Sequence, residues 1–214
     1  MADLTTYEGL KAAVADWLGR DDLSEQIPSF IRLAEKRMER ELRLRAMERR
    51  AVRFVAAGTR GVALPGRRTD GDWDVFLDMR DLAWDDGNAL HDLEYVPVDE
   101  YQSLGAATGR PRAYTVVGSD LFLLPRPESD GRLVLSYYAE IPPLSEAQPT
   151  SDVLLAAPDV YLYAALTEAG PYTRGSAPTE MWARACAEAM AALERTEQRA
   201  RFTSNLSMRP ARRI

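Results

Sequence analysis

The two ends of the chain carry apolar residues at helical spacing. Near the N-terminus, Thr5 and Glu8 have the spacing of a capping box, and the pattern predicts a first helix that ends at Gly19. Its expected buried face consists of Leu10, Val14, Trp17 and Leu18. A second helix is predicted to begin between Ser24 and Pro28, because proline suits the first turn of a helix. Its expected buried stripe consists of Ile27, Phe30, Ile31, Ala34, Met38 and Leu42.

The apolar pattern changes to the period of two that is typical of β-strands in the middle of the chain. Residues 52–56 and 62–64 flank a glycine-containing turn and predict a β-hairpin. Further strands are predicted at 79–84, 90–95, 113–117, 121–124 and 133–138. Turn-forming sequences at 85–88 and 118–120 separate several of these strands, and a short helix is predicted at 98–104.

Helical spacing returns near the C-terminus. A helix is predicted to begin at Pro158 and to end at Gly170, and a longer one to run from about Pro178 to about Arg201. The order of elements predicts an α+β fold, in which the N- and C-terminal helices form a bundle with an inserted small antiparallel β domain. The expected divisions are a helical bundle of residues 1–47 and 150–201, a β domain of residues 48–149, and a basic C-terminal tail of residues 202–214.

The net charge of -6 is distributed unevenly along the 214 residues. Arg32–Arg53 contains nine basic and four acidic residues, whereas Arg67–Glu100 contains eleven acidic and three basic ones. Oppositely charged segments can orient neighbouring subunits in an assembly. The basic run also permits nucleic-acid binding, since phosphates need only clustered positive charge. A solvated helix face, or a face against an acidic neighbour, is the favoured interpretation, because acidic residues alternate with the basic ones at helix-pair spacing.

Residues that commonly carry catalysis are few. His91 is the single histidine and Cys186 the single cysteine, so a metal site with two histidines and an internal disulfide are both excluded. We expect His91 to lie beside a strand and Cys186 to pack on a helix face, with a dyad of the two as the enzymatic alternative. The sequence contains neither a phosphate-binding loop nor a nucleophile elbow. These observations favour a binding protein without a cofactor over an enzyme.

Alternate aspartates at Asp70, Asp72 and Asp74 resemble the start of a calcium loop. Position six of such a loop should be glycine but is Val75, and position twelve should be glutamate but is Asp81. An acidic turn is therefore the favoured interpretation, with calcium binding as the alternative. The sequence has neither an apolar run long enough to span a membrane nor a signal-peptide pattern, so we expect synthesis in a cytoplasm.

Several short stretches of the chain, taken together in their order and spacing, carry a resemblance to a known family. Up to Tyr114 they are Tyr7–Lys11, Ala15–Leu18, Asp21–Leu23, Ile27–Ile31 with Ala34 and Glu35, and Gly109–Tyr114. After Tyr114 they are Tyr137–Ser145, Ala157–Leu166, Glu168 with Ala169, and Pro171 with Tyr172. In this order and spacing the chain resembles the adaptor proteins, or head-to-tail connectors, of short-tailed and related bacteriophages. The resemblance covers nearly the whole chain, but it does not extend to Arg67–Asp78.

The resemblance implies a structural, non-enzymatic subunit at the head-tail junction of the virion, made in the cytoplasm of the bacterial host. Such adaptors form a homo-oligomeric ring, typically dodecameric, beneath the portal protein. The ring extends the channel through which genomic DNA passes without sequence-specific binding, and it offers a docking surface to the next tail or nozzle protein. A stopper or tail-completion subunit of the neck is the alternative.

The resemblance also implies that a C-terminal extension anchors the subunit on the portal. The expected portal-binding residues are Phe202, Met208, Arg209, Arg212, Arg213 and Ile214. In this hypothesis the aromatic and thioether groups fill apolar pockets, and the arginines pair with carboxylates.

Overall fold

The computed structural model of the protein describes residues 3–66, 75–103, 107–173 and 178–201. Its α-helices are α1 (Tyr7–Leu18), α2 (Ile27–Glu41), α3 (Val98–Ser103), α4 (Asp152–Ala156), α5 (Pro158–Ala169) and α6 (Thr179–Arg201). Its strands are β1 (Glu48–Val55), β2 (Gly61–Ala63), β3 (Phe76–Asp85), β4 (Leu90–Asp92), β5 (Glu94–Tyr95), β6 (Thr108–Gly109), β7 (Ala113–Val117), β8 (Asp120–Leu124), β9 (Arg126–Pro127) and β10 (Gly131–Ala139). The order of elements confirms the predicted α+β class.

The described residues form two compact units. The helical unit contains the residues up to Ala46 together with those from Ile141 onward, and the β unit contains Met47–Glu140. The sequence places residues 141–149 in the β domain, whereas in the structure they belong to the helical unit. One contact that holds them there is the hydrogen bond from the Tyr7 amide to the carbonyl oxygen of Pro149, at 2.7 Å.

Helix α5 is the central element of the helical unit. It packs against α1, α2, α4 and α6, and residues on most sides of it are buried. The stripe predicted for α2 is confirmed, because each of its six members is at most 2% exposed. Burying an aliphatic or aromatic side chain of this size stabilises the fold by about 1.5–3 kcal/mol.

Two details of α1 differ from the prediction. The N-cap residue is Thr6 and not Thr5, since the Thr6 hydroxyl accepts a hydrogen bond from the Gly9 amide at 3.2 Å. Trp17, expected in the core, is 47% exposed and packs the edge of its ring on Tyr163. The helix ends where Gly19 adopts a positive φ of 59°, a conformation that favours glycine.

The β unit contains two four-stranded sheets that share one hydrophobic core. Sheet A has the strand order β1-β10-β3-β4, and sheet B has the order β2-β8-β7-β5. Both sheets contribute buried side chains to the same cluster: Val55, Leu82, Trp84, Leu93, Tyr114, Leu121, Leu123, Leu133, Leu135, Tyr137 and Ala139. This arrangement is that of two sheets packed face to face.

The hairpin predicted between residues 52–56 and 62–64 is wrong. In the structure β1 pairs with β10 along its whole length, and β2 pairs with β8 in the other sheet. The strand predicted at 90–95 is divided in the same way, because β4 belongs to sheet A and β5 to sheet B. The pairings β5–β7 and β6–β9 are parallel, so the β unit is not purely antiparallel.

Candidate interaction surfaces

Two glutamates of α2 lie in the protein interior, although they belong to the charged run that the sequence predicts to be solvated. Glu35 is 1% exposed and Glu39 is 3% exposed. One oxygen of Glu35 accepts a hydrogen bond from the Leu144 amide at 2.8 Å, and its other oxygen pairs with Arg32 at 2.9 Å. A buried carboxylate is costly unless it is paired in this way.

Glu39 repeats this arrangement one helical turn later. One of its oxygens accepts from the Ile141 amide at 3.2 Å, and the other pairs with the Lys36 ammonium at 2.6 Å. Hydrogen bonds to charged groups contribute about 1.5–3 kcal/mol each. The two carboxylates therefore fix the segment 141–144, where the chain enters the helical unit for the second time, against α2.

Burial raises the pKa of the Glu35 carboxyl. Desolvation raises the pKa of Glu35 from 4.5 to about 6, although the Leu144 amide and Arg32 both act in the opposite direction. The same carboxylate contributes to the raised pKa of the buried Tyr161, for which desolvation is the larger cause. Glu35 is thus ionised at neutral pH at an energetic cost.

Several basic residues of the Arg32–Arg53 run bind acidic residues of other helices in the helical unit. The Arg37 guanidinium pairs with Glu168 of α5 at 2.6 Å, and Arg45 pairs with Glu197 of α6 at 3.1 Å. These pairs lower the net positive charge available to a phosphate backbone, which weakens the nucleic-acid alternative.

Sheet A ends in a basic edge and an acidic edge. The basic edge is β1, on which Arg50 and Arg53 are exposed and pair with no acidic residue in the described part of the chain. The acidic edge is β4, on which Asp92 is exposed and likewise pairs with no described basic residue.

Each of these edges also exposes large apolar side chains. On β1, Phe54 is 70% exposed and Val52 is 53% exposed. On β4, Leu90 is 58% exposed. The sequence pattern places Val52 and Phe54 on one face of β1 but does not predict that this face is exposed, because exposure depends on which strands pair.

The contacts of His91 and the burial of Cys186 indicate structural roles for both residues. The Asp86 carboxylate accepts hydrogen bonds from the amides of Asn88 and Ala89 and contacts the His91 ring at 2.9 Å, so it organises the turn between β3 and β4. These contacts, led by the Ala89 amide, lower the pKa of Asp86 to about 2. Cys186 is buried on α6, and desolvation raises the pKa of its thiol to about 11, which opposes formation of a nucleophilic thiolate.

The aspartates of the calcium-loop motif, Asp70, Asp72 and Asp74, lie outside the described residues. Within the described ranges there is no cluster of three or more histidine, cysteine, aspartate or glutamate side chains that could hold a metal ion. A search of the same ranges for a helix with the length and apolar character needed to cross a membrane finds none.

The predicted portal-binding residues also lie outside the described residues: Phe202, Met208, Arg209, Arg212, Arg213 and Ile214. What the structure describes is the helix that precedes them. The first half of α6 is anchored by Trp182, Cys186 and Met190, which are at most 5% exposed. Beyond Met190 most described side chains of α6 are exposed, with Glu197 held by Arg45.

Comparison with known proteins gives one match over almost the full length. The family model described as SU10 adaptor protein matches residues 5–213. No curated protein matches the chain. The matched range contains both compact units, so the match rests on the helical and the β parts together.

Proposed function

Because this chain belongs to the SU10 adaptor protein family, we propose that it forms a ring that joins the portal of a tailed phage to the tail and extends the DNA channel. Membership of the family makes the chain a structural protein of the phage virion and implies a non-enzymatic role. The observation that carries the proposal is the match of the family model over residues 5–213, which includes residues of both compact units.

Two properties of the described surface support a ring. A ring requires a heterologous contact, in which two different surfaces of one chain meet on neighbouring copies. The basic edge and the acidic edge of sheet A are two such surfaces. A chain of net charge -6 also suits the wall of a DNA channel, since like charge repels phosphates.

The portal is the proposed template and the proposed partner. The C-terminal tail docks on it through Phe202, Met208, Arg209, Arg212, Arg213 and Ile214, and the opposite end of the ring receives the next tail or nozzle protein. Ring assembly follows the portal symmetry, for which a dodecamer is the expected state.

Cosedimentation of the purified chain with the purified portal of the same phage tests this proposal. We expect stoichiometric complexes that electron microscopy resolves as one added ring beneath each portal. A chain that remains monomeric and does not sediment with the portal would contradict the adaptor role and favour a stopper or tail-completion subunit, which binds further down the neck. Adding the purified tail protein to the complex then tests the downstream contact.

A further inference from the structure

The two edges of sheet A are complementary in charge and in apolar surface. An edge strand presents unpaired backbone N–H and C=O groups, which form a template for pairing with another chain. Strand β1 is eight residues long, and within the described ranges its only strand partner is β10. Strand β4 forms the other edge and pairs there with β3.

The exposed apolar residues of both edges lie on the same face of the sheet. Residues paired across an antiparallel ladder project to one face. One such row crosses all four strands, from Phe54 through Arg132 and Asp85 to Leu90, with an Arg132–Asp85 ion pair of 2.8 Å at its centre. This face is opposite the core, because the alternate residue Val55 belongs to the buried cluster. Phe54 and Leu90 are therefore the two ends of one outward-facing row.

The charges divide between the edges in the same way. Arg50 lies two rows from Phe54 on the outward face of β1, and the exposed Arg53 projects to the opposite face. On β4, Asp92 lies one row from Leu90 on the same outward face. Arg50, Arg53 and Asp92 lack a partner of opposite sign among the residues that the structure describes.

We propose that the β1 edge of one copy docks on the β4 edge of the next copy, so that sheet A continues from subunit to subunit around the ring. This inference rests on the proposed ring function and identifies its lateral contact. Phe54 and Val52 of one copy pack against Leu90 of its neighbour. Arg50 of one copy faces Asp92 of the neighbouring copy on this outward face.

Strand direction is compatible with this contact. Each neighbouring pair within sheet A is antiparallel, so β1 runs antiparallel to β4 of the same chain. When the next copy has the same orientation, its β1 is antiparallel to the β4 that it meets, and the alternation of the sheet continues. The outward faces of the two copies then coincide.

Charge selects this head-to-tail contact over a symmetric one. Pairing β1 with β1 of a second copy brings Arg50 and Arg53 near the same arginines, and pairing β4 with β4 brings Asp92 near Asp92 of the second copy. Like charges directly opposite each other destabilise a sheet pairing. A contact between two different edges repeats in one direction, and it closes into a ring when the rotation per copy permits.

Charge-reversal variants test the contact on the assembled complex with the portal. We expect Arg50→Glu and Asp92→Arg each to reduce the number of copies retained on the portal by about tenfold, since each places like charges on the two sides of the contact. An equimolar mixture of the two variants should restore full rings. In the mixture every glutamate-bearing β1 edge meets an arginine-bearing β4 edge, and every native β1 edge meets a native β4 edge.

Cross-linking provides a second test that does not require destabilisation. In a Cys186→Ala background, Phe54→Cys with Leu90→Cys should give a ladder of oxidised oligomers on the portal, whereas either cysteine alone should give none beyond a dimer. Phe54→Cys with Val117→Cys is the matched control, because Val117 is also exposed but lies on sheet B.

The outcomes separate this inference from the proposed function. Wild-type rings on the portal, combined with undiminished retention of both reversal variants and no cross-link ladder, would overturn the edge contact and leave the adaptor role intact. The edge charges would then serve to prevent sheet aggregation, as charged edge residues often do. A wild-type chain that forms no ring on the portal would overturn both.

Discussion

The Glu35 carboxylate accepts a hydrogen bond of 2.8 Å from the amide of Leu144, which is 109 residues away in the sequence. This contact joins two stretches that the family resemblance contains, Ala34 with Glu35 and Tyr137–Ser145. Neither stretch has a catalytic composition. The hydrogen bond holds the second stretch against the first within the helical unit, so the resemblance in these stretches reflects structure and not chemistry.

The stability of the helical unit should depend on the protonation of Glu35. Its pKa is about 6 in the folded chain, above the ordinary 4.5, so between these two values the folded state binds more protons than the unfolded state. The free energy of unfolding should therefore fall as pH rises from about 4.5 to about 6, by about 2 kcal/mol, and level off above that range.

Replacing Glu35 by glutamine should remove this decline, because the amide cannot ionise but its oxygen can still accept from Leu144. Glu35→Ala should be less stable than Glu35→Gln by about 1–3 kcal/mol, because it leaves a buried amide without an acceptor. Urea unfolding followed by far-UV circular dichroism between pH 4.5 and 7.5 measures both effects. Glu25→Gln, at an exposed position, is the control. If Glu35→Gln kept the wild-type pH profile, other groups would be responsible for it.

The close approach of Gly131 to Trp84 predicts a second effect on stability. A Cβ at Gly131 would lie 2.2 Å from Cζ2 of the Trp84 indole, which is 1% exposed in the core of the β unit. Gly131→Ala should therefore displace the indole and destabilise the protein by about 1–3 kcal/mol. Thermal unfolding and tryptophan fluorescence report the change.

Gly66→Ala is the matched control for that substitution, since a Cβ there would meet no atom within 4 Å. We expect its free energy of unfolding to stay within about 0.5 kcal/mol of wild type. Equal effects of the two substitutions would show that the Trp84 contact is not what constrains residue 131.

Removal of residues 202–214 should leave a folded protein that no longer joins the portal. The described part of α6 is anchored upstream by the buried Trp182, Cys186 and Met190, so we expect it to stay packed after the truncation. Unchanged circular dichroism together with loss of cosedimentation is the expected result. Truncated protein that binds the portal with wild-type affinity would disprove the tail hypothesis.

Point variants within the tail test whether portal binding depends on the arginine side chains or only on the presence of the segment. Arg209→Ala/Arg212→Ala/Arg213→Ala should weaken portal binding by about tenfold or more, because each arginine is expected to pair with a carboxylate. Thr203→Ala/Ser204→Ala/Ser207→Ala changes the same number of residues without changing charge and serves as the control. Equal affinities of the two triple variants for the portal would exclude a role of the arginines.

Helix positions could be predicted from the sequence because the signal for a helix is local. The α2 stripe from Ile27 to Leu42 and the length of α6 follow from apolar spacing and from the prolines near the start of each helix. The burial of Glu35 and Glu39 could not be predicted, because a charged residue in a charged run normally lies at the surface. The backbone amides of residues 141 and 144, distant in sequence, each bind one oxygen of these carboxylates and so contribute to their burial.

Strand pairing could be predicted only in part, because some pairs join strands that are distant in the sequence. Adjacent strands often pair, which led to the expected hairpin at residues 52–64, and the hairpins β3–β4 and β7–β8 do follow that rule. Strand β1 instead pairs with β10, about 80 residues later, because β10 lies between β1 and β3 and carries the buried Leu133 and Leu135. The two edges of sheet A, and hence the candidate contact between copies, follow from this pairing and are invisible in the sequence pattern.

The carboxylate contacts of α2 have a mechanical consequence. The amide of Glu140 is bonded to the Val75 carbonyl within the β unit, and the amide of the next residue, Ile141, is bonded to Glu39 within the helical unit. Tension applied to the chain before Ile141 therefore meets the Ile141–Glu39 hydrogen bond first and the Leu144–Glu35 hydrogen bond next. Residues 141–144 should separate from α2 only after both charge-assisted bonds have broken.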